Sequence, residues 1–128
     1  MKKLALLVIC AVMVFFTSCT KSTTYEIYNG TSGISMYDVK AYEYVGSNVV
    51  SFHDLGFLSS NATTGSIEAN KESKQVKVAF KFAPGGDVYT TADYFNLTSG
   101  GHIMILIEDD TQVIGGSKGT VKVADLDK

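Results

Sequence analysis

The chain has no arginine and no tryptophan, one proline, two histidines and two cysteines in 128 residues. Each shortage removes a class of chemistry. Without arginine there is no planar, bidentate clamp for phosphate or carboxylate. Asp and Glu number 13 against 11 Lys, a formal net charge of −2. Nucleic-acid binders carry basic patches that neutralise phosphates, so nucleic acid is not an expected partner. Cys10 and Cys19 both lie near the start. From residue 20 onward there is no thiol for a disulfide, a thiolate zinc site or a cysteine nucleophile. The single proline, Pro84, and a hydrophobic content of 45% argue against a disordered chain.

The first residues are positive, Met1-Lys2-Lys3, and Leu4 to Phe16 then runs 13 residues without a charge. Small polar residues follow, Thr17-Ser18, before Cys19. A positive start, a 7–15-residue apolar stretch and small residues at the cut describe a secretory signal. A membrane-spanning helix needs roughly 20 apolar residues to cross ~30 Å of hydrocarbon, so this run is too short.

Phe16-Thr17-Ser18-Cys19 resembles a bacterial lipobox, with Phe16 where leucine is usual. The resemblance implies a diacylglycerol on the Cys19 thiol, cleavage just before it and acylation of the new amino group. Relaxed lipoboxes of this kind resemble those of Bacteroides-type Gram-negative bacteria. Two or more acyl chains bind a membrane stably where one binds marginally, so the expected partner is a membrane, held through a triacylated Cys19 as a firm anchor.

 The reading for the mature protein is therefore a cell-envelope lipoprotein anchored at Cys19, on the outer membrane. Two alternatives stay open: an ordinary signal peptide that leaves Cys19 a free thiol, and a retained leader acting as the anchor. Surface-export signals of such lipoproteins are acidic just after the cysteine. Cys19-Thr20-Lys21-Ser22-Thr23-Thr24 has no acid, which favours a periplasmic face and reads as a short tether.

The rest, about 110 residues, suits one domain. A chain of this length buries roughly 60–70% of its unfolded surface, enough for a core without staples. Its dominant period is two, the signature of strands. Tyr25 and Ile27 alternate with Glu26 and Tyr28 before a turn at Asn29–Gly33. Tyr37, Val39 and Ala41 are expected on one face, with Asp38, Lys40, Tyr42 and Tyr44 on the other. Val49 to Phe52 is a further strand, and Asp54 to Leu58 reads as a strand end entering a loop. Ser66 to Ala69 forms a brief pairing segment. Gln75 to Phe82 alternates most cleanly, with Val76, Val78, Phe80 and Phe82 inward. The Asp87 to Phe95 stretch resumes the pattern. Ile103 to Ile107 is apolar on both faces, which predicts a central strand covered on both sides. Short strands at Thr111–Ile114 and Thr120–Val123 flank a glycine-rich loop. Turn signals recur every 8–12 residues, so the expected fold is all-β, an antiparallel β-sandwich of seven or eight strands over residues 25–128.

The order of these pieces runs from an Asn-Gly turn through a DLG strand end, a VKVAFKF strand, an FNLTSGG turn and an IMILIEDDT strand. It resembles the small immunoglobulin-like or transthyretin-like domains of Bacteroides-type lipoproteins. The resemblance implies the fold and carries no functional residue.

Candidate chemistry is sparse. Gly115-Gly116-Ser117-Lys118-Gly119 matches G-x-S-x-G, but a nucleophile elbow needs a strand, a sharp turn and a helix. Here a hairpin loop is expected. His53-Asp54 offers a base beside an acid and His102 stands apart, with no nucleophile or metal spacing evident. Glu108, Asp109 and Asp110 place three carboxylates at a strand end, a calcium candidate by ligand type, although the EF-hand spacing is missing. Tyr42 and Tyr44 share the face of Asp38 and Lys40. Neighbouring exposed aromatics combine apolar area with a polar tip and so suit a glycan or a peptide. The competing reading for them is cross-strand packing alone. Asn29, Asn61 and Asn96 each begin an N-x-T triplet, read as turn chemistry rather than glycosylation. No cofactor and no catalytic residue is expected. The leading reading is a non-enzymatic binding or scaffolding module for another envelope protein or glycan. A small envelope enzyme or enzyme inhibitor is one alternative, and glycan or peptide capture through Tyr42 and Tyr44 is another.

Overall fold

A computed structural model describes residues 21–126. The expected leader, its expected cleavage site and Cys19 lie outside the described residues. In a strand, successive side chains point to opposite faces, so a period-two sequence sorts itself into a buried and an exposed row. The described residues form ten strands, of which β1, β2 and β5 sort most clearly: β1 (Thr24–Asn29), β2 (Met36–Val45), β3 (Asn48–Leu58), β4 (Ile67–Glu68), β5 (Gln75–Lys81), β6 (Val88–Thr91), β7 (Phe95–Asn96), β8 (His102–Ile107), β9 (Gln112–Gly115) and β10 (Gly119–Lys122). A single 3₁₀ turn, Val123–Asp125, follows. The excess over seven or eight strands comes from β4 and β7, each only two residues long.

The strands form two sheets, and the fold is an all-β sandwich. The smaller sheet has the order β4-β1-β8; the larger runs β10-β9-β6-β5-β2-β3, with β7 also paired to β5. Every pairing in the larger sheet is antiparallel. In the smaller sheet β1 and β8 are parallel, in register from Thr24 opposite His102 to Asn29 opposite Ile107. A parallel pair needs a crossover, and here β2 to β7 intervene in the chain, most of them in the larger sheet.

The core lies between the sheets. Tyr25, Ile27, Ile105 and Ile107 enter from the small sheet, and Met36, Val39, Ala41, Val76, Val78, Phe80 and Val113 from the large one, all buried. Each fully buried side chain of this size contributes roughly 1.5–3 kcal/mol of transfer free energy, enough to bind the sheets face to face.

Four expectations need correction. First, Tyr37 does not share the face of Val39 and Ala41. Asp38 adopts φ 48°, and the register with β3 shifts between Met36 and Val39, so a bulge turns Met36 inward and Tyr37 outward. Second, Asp54–Leu58 belongs to β3, because the irregular register brings the strand back to pair Leu58 with Met36. Third, β8 is not central. It is an edge strand whose outward Met104 and Leu106 are 45% and 46% exposed, because among the described residues no third layer covers the small sheet. Fourth, Phe82 follows the end of β5 and is only partly buried at the rim of the core.

The tether is also shorter than residues 19–24. Ser22 Oγ donates to Glu68 at 2.8 Å, the Ala69 N–H donates to the Thr23 carbonyl at 2.9 Å, and Gly100 N–H donates to Thr23 Oγ1 at 2.9 Å. These bonds draw Ser22 and Thr23 into the fold just ahead of β1.

Candidate functional site

Strand β2 presents different chemistry on its two sides. Outward, antiparallel pairing sets Tyr42 opposite Phe52 of β3 and Lys77 of β5, and Tyr44 opposite Val49 and Gln75. Directly opposed residues on one face lie within side-chain contact. The rings of Tyr42 and Phe52 are 6.0 Å apart, and those of Tyr44 and Tyr94 are 5.1 Å apart edge to face. Lys77 Nζ stands 4.4 Å from the centre of the Tyr94 ring, a cation–π distance. Farther along, Tyr37 meets Phe57 at 5.1 Å. Burial pushes the Tyr44 hydroxyl above its ordinary range, with Tyr94 and then Tyr42 adding to the shift.

The band is not a core surface. Phe52, Phe57 and Val49 are more than half exposed, at 58%, 56% and 52%. Tyr42 and Tyr44, the two aromatics singled out in the sequence, thus sit in the middle of a larger group that adds Phe52, Tyr94 and Lys77. Sequence reasoning missed those partners because they come from β3, β5 and the segment before β7, and only the pairing register joins them.

Inward, the residue between those tyrosines is Glu43, fully buried. It occupies the phase set by Val39 and Ala41, where an apolar residue is ordinary. Its carboxylate has four partners. Tyr25 Oη donates to Oε2 at 2.8 Å, and His53 Nε2 lies 2.6 Å from the same oxygen. The Asn70 N–H and the Ser73 hydroxyl both donate to Oε1 at 2.7 Å. Burial acts to raise the Glu43 pKa. The bonds from Ser73, Asn70 and Tyr25, with the nearby His53, outweigh it and hold the carboxyl below its ordinary value. Burial first, then Glu43, raises the Tyr25 phenol well above its ordinary range. The node joins β1 of the small sheet to β2 and β3 of the large one and to the 70–73 turn.

His53 opens from this node onto a depression of about 520 Å³ lined by Ser51, Glu68, Asn70, Lys71 and Glu72. A buried carboxylate holding a partly exposed imidazole supplies two of the three members of a catalytic triad. No hydrogen bond joins Ser51 to His53 among the described residues. Asp54, next to His53 in sequence, is an exposed residue of the opposite phase and is not its orienting acid. The sequence carried a signal for Glu43: an acid at an inward position of a strand needs partners.

The remaining candidates separate. His102 lies in the other sheet from His53, with Nδ1 2.8 Å from Thr24 Oγ1. Gly115 and Gly119 pair at the ends of β9 and β10, and residues 116–118 make the turn between them, so Ser117 has no helix behind it. A Cβ on Gly115 would collide with the Val88 carbonyl, which explains that glycine by packing. Of Glu108, Asp109 and Asp110, Asp109 is engaged by the Ser32 N–H at 2.8 Å and the Ser32 hydroxyl at 2.6 Å. Those two bonds lower its pKa. Among the described residues no three His, Cys, Asp or Glu side chains are grouped to hold a metal. Asn29 is fully buried; its Nδ2 donates to the Ile34 and Leu58 carbonyls at 2.8 and 3.0 Å. No helix of the described residues is long and apolar enough to cross a membrane.

Comparison with protein-family models, with curated proteins and with solved structures gives no match.

Proposed function

We propose that this chain is a cell-envelope lipoprotein, held on the membrane by lipid at Cys19, whose sandwich domain binds a glycan or peptide strand on the outer face of the large sheet without catalysing a reaction. The observation that carries this reading is the aromatic band of Tyr42, Phe52, Tyr44 and Tyr94 with Lys77 beside it. Flat rings, the three tyrosines with polar tips, offer stacking area at little entropic cost, because each has only two side-chain torsions. The band tests readily on an array of bacterial glycans and peptides probed with the labelled mature domain. Binding is expected to specific members and to be lost in Phe52→Ala. Binding indifferent to every ring of the band would overturn the reading.

One observation favours a second reading, that of a small hydrolase: the Glu43–His53 pair beside a polar depression. Turnover of ester or amide substrates abolished by His53→Ala would establish it, and turnover unaffected by that change would remove it.

A further inference from the structure

We infer that the tether end of the sandwich, formed by the 69–74 and 97–101 loops around Lys21–Thr24, rests in the phospholipid headgroup layer. This rests on the reading that Cys19 carries lipid. The chain geometry then leaves little room for any other arrangement. From Cys19 to Lys21 is two residues, which reach at most about 7 Å when fully extended. A cysteine in a diacylglyceryl thioether sits at the glycerol level, the inner boundary of the headgroup region. Headgroups occupy roughly 5–8 Å on each side of the hydrocarbon, the difference between a ~30 Å core and a ~40–45 Å bilayer. The link is therefore about as long as that layer is thick.

The fold begins directly where the link stops. Gly100 N–H donates to Thr23 Oγ1, and Thr24 N–H donates to the Gly101 carbonyl at 3.0 Å. A Cβ on Gly100 would lie 3.8 Å from the Lys21 Cβ and from its carbonyl. On the other side, Ala69 N–H bonds the Thr23 carbonyl and Ser22 bonds Glu68. Both loops are thus fastened to the last residues before the link and have no slack to rise. A cleft of about 460 Å³ at this end is lined by Lys21, Ser22, Glu68, Lys71 and Ser99. Ammonium groups and hydroxyls suit phosphate and glycerol oxygens. The opposite end, with Ser59 and the Ser32–Asp109 clasp, lies beyond the far end of β1, about 17 Å away at a strand's rise of ~3.3 Å per residue.

The test uses the processed, lipidated full chain in phosphatidylethanolamine–phosphatidylglycerol vesicles that carry a quencher on their headgroups. Lys71→Cys, Ser99→Cys and Ser59→Cys are each labelled with a fluorophore. The new thiol is the only one, since Cys10 leaves with the leader and Cys19 is capped. Most of the emission is expected to be lost at positions 71 and 99 and retained at 59. Equal quenching at all three positions on a protein whose mass shows the lipid overturns the inference and leaves the anchor standing. A mass without acyl chains on Cys19 overturns the anchor and the inference together.

Discussion

Tyr42, Glu43 and Tyr44 are consecutive, yet the two sides of this strand serve opposite ends. On the inner side Glu43 gathers four partners and is sealed from water. On the outer side the tyrosines gather aromatic neighbours that remain in contact with water. A buried charge is kept only where its surroundings satisfy it, so the inner side belongs to the architecture. An exposed aromatic group is not required by the architecture, so the outer side is free for recognition. One residue of register separates the two roles, because a slip by one would exchange the faces.

The contrast is sharpest in stability. Glu43→Ala leaves Tyr25, Ser73 and the Asn70 N–H without their buried acceptor and is expected to cost about 3–5 kcal/mol in urea unfolding. A loss below ~1 kcal/mol would mean that the node does not join the sheets. Gly115→Ala is the next largest, about 1–3 kcal/mol, since the added methyl meets the Val88 backbone rather than a movable side chain. Full stability in Gly115→Ala would contradict the tight β6–β9 packing.

Acid distinguishes the faces more finely. The Glu43 carboxyl is held below its ordinary 4.5 in the fold, so near that pH the unfolded chain binds more protons than the folded one. Its contribution is complete above about 4.5 and is lost as pH falls from there through the lower folded value. Glu43→Gln is expected to flatten the decline of stability over that window; an unchanged slope would assign the acid sensitivity elsewhere. Asp109 has the same sign, but it is an exposed clasp. Asp109→Asn is expected to leave the urea midpoint close to that of the parent, and a clear loss would make the clasp structural.

Much of the fold was legible because period-two alternation survives without tertiary context. Val76, Val78 and Phe80 pointed inward as read, and the G-x-S-x-G stretch was a hairpin turn. The failures have local causes. At Asp38 a single left-handed residue shifted the phase of β2, and alternation alone does not mark a bulge. At β8 the apolar Met104 and Leu106 suggested a second cover, whereas composition does not distinguish a covered face from an exposed one. Of the site, Tyr42 and Tyr44 were visible, while Phe52 and Tyr94 depended on pairing between distant segments. Glu43 stood in plain view, but its four partners span residues 25 to 73 and converge only in the folded chain.

The most direct test of the two-faced strand is to measure the urea midpoint and the array signal together for Tyr42→Ala/Tyr44→Ala. The midpoint is expected to stay close to that of the parent, within about 1 kcal/mol per ring removed, while the array signal disappears. Array binding retained by a folded double variant, or a fold that collapses with these two rings, would contradict the assignment of the outer face to recognition.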